Sequence, residues 1–207
     1  LFTSKDDTNT LPHEIDSVNN SISIFWVTIP EMSADPASNY LYMYYGNSAT
    51  NNLENISNVW GADYRLVQHF SETSGSIHTD SSMYTNNGIV TGGVTLNSNG
   101  MIGSADYFNG TSGYINCGSN TNLDISNNIT MSFWIKPDTL SGGFQAVISK
   151  YDFVNPSYES ALNNNTTRSG IKLNTNWSGN FFSGIVPTGW FYSTVTYDSI
   201  SVKVYVN

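Results

Sequence analysis

The sequence predicts an all-β protein, an antiparallel β-sandwich with a partial β domain in front of it. Short runs of apolar and polar residues alternate with period 2 along the whole chain. Clusters of Asn, Gly, Ser and Pro separate the runs, and these are the residues that turns require. Charged residues make up only 11% of the chain against 39% hydrophobic. That leaves too few Lys, Glu and Arg to wet the outer face of amphipathic helices.

The first strands are expected at Leu11–Ser17, Ser21–Ile29 and Tyr40–Tyr45. In the third, Tyr40, Tyr42 and Tyr44 share one face opposite Leu41 and Met43, a stripe suited to packing on another sheet. Asn52–Trp60 is the one helical turn, with Leu53, Ile56 and Trp60 at helical spacing. Beyond Trp60–Asp63 the turns become evenly spaced, which places a boundary there and divides the chain into residues 1–62 and 63–207.

In the second part, strands are expected at Tyr64–Phe70, Gly88–Leu96, Ala105–Asn116, Ile129–Lys136, Gln145–Lys150 and Gly170–Leu173. Three more follow at Phe181–Val186, Trp190–Tyr197 and Val202–Val206, while Tyr151–Arg168 reads as a connection. Trp26, Trp134 and Trp190 lie in alternating runs and are assigned to cores. The chain opens on Leu1-Phe2-Thr3 and its apolar alternation runs on to Asn207. Further domains of the same polypeptide are therefore expected at both ends, with an unpaired edge at the last strand.

Charge narrows the partners. The formal net charge is −9 and Lys plus Arg number seven, so no basic patch exists to follow a phosphate backbone, and nucleic acid is excluded. An anionic membrane surface is disfavoured for the same reason, and no apolar run is long enough to insert into a bilayer. Cys117 is the single cysteine, so no disulfide forms within the chain. It is expected as a small buried residue of a strand within Gly113–Gly118.

Two ordered sets of landmarks carry a resemblance. Leu11-Pro12-His13-Glu14-Ile15, Phe25-Trp26-Val27-Thr28-Ile29-Pro30 and Tyr42-Met43-Tyr44-Tyr45-Gly46-Asn47 resemble the C-terminal half of a prokaryotic domain of unknown function. That domain often stands just before a laminin-G-like module. Val67-Gln68-His69-Phe70, Asp80-Ser81-Ser82, Asn87-Gly88, Phe108-Asn109-Gly110, Ser132-Phe133-Trp134 and Val204-Tyr205-Val206-Asn207 resemble that module, a concanavalin-type jelly roll across Tyr64–Asn207. The resemblance implies a fold and a tendency to bind sugars or proteins outside the cell, in a secreted or surface protein. Without disulfides, such a protein points to a prokaryotic source. No activity is implied, because sandwiches of this type host lectins, spacers and hydrolases alike.

Glu14 and Asp16 fall on one face of a strand, and laminarinase-like glycosidases of the jelly-roll fold use such a pair. A further acid is needed on that face, and Val18 and Asn19 do not supply it. The pair is therefore read as solvent-facing, with no catalytic residue assigned. His13-Glu14 fails as a zinc-protease motif because Ser17 stands where the second His is needed. His78 and Asp80 read as polar residues of a turn, and His69 marks a strand at the edge of the core. Gly92-Gly93 and Gly142-Gly143 lack the Lys and helix of a phosphate loop.

Calcium is the metal that fits this composition, since Asp, Asn and carbonyl oxygens are its ligands. Asp80 and Asp106 are the candidate contributors. A sugar ligand needs an exposed aromatic ring beside amide or hydroxyl groups. Trp177 with Asn176 in a polar loop, and Tyr151 and Tyr158 in the Tyr151–Arg168 connection, meet that requirement. The expectation is a non-catalytic binding module, with polysaccharide or a cell-surface protein as partner. A structural spacer of an adhesin or filament and a glycoside hydrolase or lyase are the alternatives.

Overall fold

A computed structural model describes residues 1–18, 21–49, 51–140, 143–151, 157–173 and 176–207, with the side chains of 168–184 outside the description. The chain forms two compact units, Leu1–Gly118 and Ser119–Asn207, so the sequence-based boundary at 62/63 falls inside the first. Helix among the described residues is limited to one α-helical turn and two 3-10 turns. None is long and apolar enough to cross a membrane.

The first unit contains β1 (Phe2–Thr3), β2 (Thr10–Leu11), β3 (His13–Val18), β4 (Ser23–Val27), β5 (Tyr42–Met43), α1 (Ile56–Val59) and β6 (Ile77–His78). β7 (Gly88–Thr91), β8 (Val94–Asn99), β9 (Ser104–Phe108) and β10 (Tyr114–Asn116) complete it. They pair into small antiparallel sheets with the orders β2-β1-β5 and β10-β7-β6, and the two-stranded pairs β3-β4 and β8-β9. Phe2 and Leu11 are buried, and the Phe2 ring meets His13 and Phe25 edge-on at 5.1 and 5.3 Å. Much of the remaining interior is polar: Glu14, His78, Asp80, Ser82 and Asn86 are all buried. Such groups are tolerated only when hydrogen-bonded, and the bonds they make organise the site described below.

Three expected strands differ here, each for a local reason. Tyr64–Phe70 holds only an isolated antiparallel bridge, Gln68 to Asp80. The Val67 amide is taken by the Asp80 carboxylate, and Phe70 at φ 56° turns the chain out of extended conformation. Gly88–Leu96 breaks into β7 and β8 at Gly92, whose φ is 71° and where a Cβ would run into the Ser112 carbonyl. Ala105–Asn116 breaks into β9 and β10 because Asn109 Oδ1 accepts from the amides of Thr111, Ser112 and Gly113 at 3.0 to 3.1 Å.

The second unit contains β11 (Asn128–Ile135), β12 (Phe144–Lys150), β13 (Ser157–Asn163), β14 (Thr166–Leu173), β15 (Asn176–Ile185), β16 (Phe191–Asp198) and β17 (Val202–Val206). The sheet β11-β16-β17 and the meander β12-β13-β14-β15 are both antiparallel. Their facing residues make a sandwich core. Ile129 and Met131 of β11, Val195 and Tyr197 of β16 and Val202 of β17 pack with Tyr158 of β13. A second cluster joins Leu162, Val186 and Phe191. Alternation is plain in β16, where Phe191, Ser193, Val195 and Tyr197 are buried and the residues between them are not. Trp134 is half-buried, with its ring 5.2 Å from that of Tyr192. Among the described residues, β17 pairs along one edge, with β16.

Candidate functional site

The site is built where two distant stretches of the first unit meet. β3 and β4 pair with Glu14 opposite Trp26, and the register then shifts between Ile15 and Ser17. Asp16 is the extra residue of that bulge and has no partner across the strand pair, an arrangement that re-aims a side chain. The Gln68–Asp80 bridge holds residues 67–69 against residues 79–81. Together these segments line a cleft of about 170 Å³ formed by Glu14, Ile15, Asp16, His69, Ser71, Glu72, Thr79 and Ser81.

Glu14 anchors the cleft and is only 6% exposed, which corrects its sequence reading as a solvent-facing residue. His69 Nε2 lies 3.1 Å from Glu14 Oε2, Ser81 Oγ donates to Oε1 at 2.5 Å, and Trp60 Nε1 donates to Oε2. Burial pushes the Glu14 carboxyl up, but the donors His69, Ser81 and Trp60 outweigh it, and the group titrates below its ordinary range. Trp26 Nε1 donates to Asp16 Oδ2 at 3.1 Å, and the Trp26 ring stacks on His69 at 5.0 Å. Asp16 Oδ1 is buried and has no hydrogen-bond partner.

A second group lies beside the first. His78 is fully buried between Glu72 Oε2, 2.5 Å from Nδ1, and Asp106 Oδ2, 2.7 Å from Nε2. Burial drives the Asp106 carboxyl up despite the imidazole, and Glu72 adds repulsion in the same direction. Burial also raises Glu72, but its bonds from the Thr79 amide and His78 prevail and bring it below the ordinary value. His78 and Asp80, read from the sequence as polar residues of a turn, are both buried.

Of the two carboxylates expected to contribute to a calcium site, Asp80 has both oxygens taken by protein donors, while Asp106 faces His78. Asp80 Oδ1 accepts from the amides of Val67 and Ser82, and Oδ2 accepts from Ser82 Oγ and the Asn86 amide, at 2.6 to 2.9 Å. It holds a turn together. The Asp106 side chain has no solvent exposure. No group of three or more His, Cys, Asp and Glu suited to a metal ion occurs among the described residues. Cys117, half-buried just past β10, has its thiol pushed up by burial.

The aromatic candidates separate. Tyr151 is 55% exposed. Tyr158 is not presented on a connection: it lies in β13, buried in the core, with its hydroxyl donating to the Leu123 carbonyl. Trp177 and Asn176 stand in strand β15 rather than in a loop, with Trp177 paired to Lys172 and Asn176 to Leu173. Their side chains, and the backbone of residues 174–175, lie outside the described residues. Phe153 lies outside them as well. Tyr40, Tyr42 and Tyr44 are exposed, where packing on another sheet was expected, and Tyr45 is exposed as well.

Residues 109–207 match the concanavalin A-like lectin/glucanases superfamily. Residues 1–87 match a Domain of unknown function (DUF2341). The two matches reproduce the expected order of a domain of unknown function followed by a laminin-G-like sandwich. No curated protein and no solved structure matches the chain. The cleft residues, 14 to 81, fall within the DUF2341 stretch, whereas Tyr151 and Trp177 fall within the concanavalin-like one. His69, Glu72, Ser81 and Trp60 were not grouped by sequence reading. The signal available was the Val67-Gln68-His69-Phe70 and Asp80-Ser81-Ser82 landmarks, which mark the side of the cleft opposite β3.

Proposed function

We propose that the chain is a non-catalytic binding module of a larger secreted or surface protein, with polysaccharide or a cell-surface protein as its ligand. The concanavalin-like match over residues 109–207 supports a binding role, and the state of the carboxylates supports the absence of chemistry. Glycoside hydrolysis needs a protonated acid and an ionised partner facing one another across the substrate. Glu14 has both oxygens occupied by protein donors and is held ionised. Among the described residues the carboxyl that burial raises is that of Asp106, and its side chain has no exposed surface from which to reach a substrate. That opposition of an ionised, occupied Glu14 and a sealed Asp106 carries the reading.

The test pairs a glycan array with a reducing-sugar assay. Binding without release of reducing ends is expected. Trp177→Ala should weaken binding by about 1–3 kcal/mol, as for loss of one central aromatic contact, with Tm nearly unchanged. Hydrolysis that vanishes in a folded Glu14→Gln variant overturns the non-catalytic reading. Binding to no glycan and to no surface protein leaves the spacer as the function.

A further inference from the structure

Asn-Gly occurs three times in the chain, at residues 87–88, 99–100 and 109–110. In this dipeptide the glycine nitrogen can close on the asparagine side-chain carbon, because glycine carries no Cβ to obstruct the approach. The fold treats the three pairs differently. Gly88 is buried in β7 and paired with His78. The Gly100 nitrogen donates to the Gly103 carbonyl at 3.0 Å. Gly110 is exposed at φ 70°, and its nitrogen meets no acceptor among the described residues. That nitrogen is open to solvent base.

The carbon it would attack is prepared as well. Asn109 Oδ1 accepts from the amides of Thr111, Ser112 and Gly113 at 3.0 to 3.1 Å. These donors converge on the oxygen that takes up negative charge when Cγ becomes tetrahedral, which is the work of an oxyanion hole. Nδ2, the atom that must leave, donates to Ser112 Oγ at 3.2 Å. Ser112 Oγ accepts from the Gly93 amide too, at 3.3 Å, so its own proton is available to Nδ2 once that nitrogen becomes an amine.

We propose that Asn109 is a self-processing site, which the fold converts to aspartate through a succinimide formed with Gly110. The Gly110 nitrogen gives its proton to solvent base and bonds to Asn109 Cγ. The Cγ–Nδ2 bond breaks, and Nδ2 takes a proton from Ser112 Oγ and leaves as ammonia. Ser112 recovers its proton from water. A second water then opens the succinimide. Addition at Cγ yields aspartate in the original main chain, and addition at the other carbonyl yields isoaspartate. The three amides hold the Cγ oxygen, so they direct water to Cγ. The carboxylate formed keeps the same three donors as charge-assisted bonds, stronger than those to a neutral amide. The turn between β9 and β10 thereby gains a negative charge and is tightened. This inference is independent of any ligand, and it stands or falls separately from the proposed function.

The other two Asn-Gly pairs are internal controls. The full chain is incubated near neutral pH, folded and in urea, and conversion at each Asn is followed by peptide mapping, with aspartate and isoaspartate separated. In the folded chain Asn109 should convert ahead of Asn87 and Asn99 and give aspartate. In urea the three should convert at similar rates, with isoaspartate prominent at each. Ser112→Ala should slow the folded-state conversion about tenfold or more, as for loss of a proton donor, and Asn109→Asp should raise Tm. A chain isolated with residue 109 already converted and the other two intact is the same result; Ser112→Ala should then be isolated as a mixture. The proposal is overturned if Asn109 in the folded chain converts no faster than Asn87 and Asn99, if it converts no faster folded than in urea, or if isoaspartate is its main product.

Discussion

His69 Nε2 and Glu14 Oε2 lie 3.1 Å apart across 55 residues of chain. That contact ties the β3-β4 hairpin to the segment leading into β6, and it forms over a polar interior rather than an apolar one. Around it, Trp26 stacks on the His69 ring at 5.0 Å and Trp60 lies tilted against it at 5.6 Å, and each gives its indole N–H to a carboxylate. Aromatic bulk and charge are combined in one cluster, so the first unit depends on hydrogen-bond geometry as much as on burial.

Glu14→Gln should destabilise the protein by about 1–3 kcal/mol, the scale of leaving a buried polar group imperfectly paired. The amide retains one acceptor oxygen where the carboxylate had two, and its NH2 then faces the donors of Ser81 or of Trp60 and His69. Urea unfolding of the two proteins at neutral pH measures the difference, and an unchanged midpoint would show the cluster to be slack.

Stability should fall as pH drops below about 4.5, the ordinary value for Glu. Glu14 and Glu72 both have folded pKa values below it. Their contribution is complete above 4.5 and is lost as pH falls through the depressed folded values. Asp106 has the opposite sign: its raised folded pKa gives a contribution present below 3.8 and lost as pH rises through the folded value. Asp106→Asn should therefore steepen the acid loss, a comparison read from thermal melts between pH 3 and 7 (~1-unit steps).

Asp80→Ala should cost about 3 kcal/mol or more, because the amides of Val67, Ser82 and Asn86 lose their acceptor together. EDTA should leave the Tm of the unaltered protein where it was, since those oxygens are filled by amides. A rise in Tm with millimolar calcium (~1–5 mM) would show that ligands outside the described residues hold a metal.

Phe191→Ala should cost about 3–5 kcal/mol. The ring is fully buried against Leu162 and Val186, with Ile135 and Val206 packed at the margin. Ile200→Ala, at 90% exposure in the turn between β16 and β17, is the matched control and should change stability by less than about 0.5 kcal/mol.

Strands with strict alternation were legible from their residues. β11, β16 and β17 lie within two residues of their expected bounds, since one buried face sets their register. β13 was not legible. Ser157 to Leu162 are all buried, so Ser-Tyr-Glu-Ser-Ala-Leu shows neither alternation nor an apolar run, and it read as a connection. Gly92 and Asn109 carried turn chemistry that the sequence displayed openly, yet each was read inside a longer strand because apolar residues flank both.

The sequence by itself determined the all-β class, the order of the two family-like stretches, and the presence of Glu14 and Asp16 on one strand. Period-2 patterning, charge count and turn residues are local properties, and they survive in a linear text. Tertiary structure decided what those carboxylates are. Glu14 becomes a buried anchor only because residues 60, 69 and 81 return to it. Asp16 leaves the strand register because a bulge removes its cross-strand partner, and its carboxylate takes the Trp26 indole N–H instead. Asp80 becomes a turn's keystone only because amides from 67, 82 and 86 converge on it. A carboxylate's role follows from which donors reach it, and contacts between residues far apart in the chain are what bring those donors there.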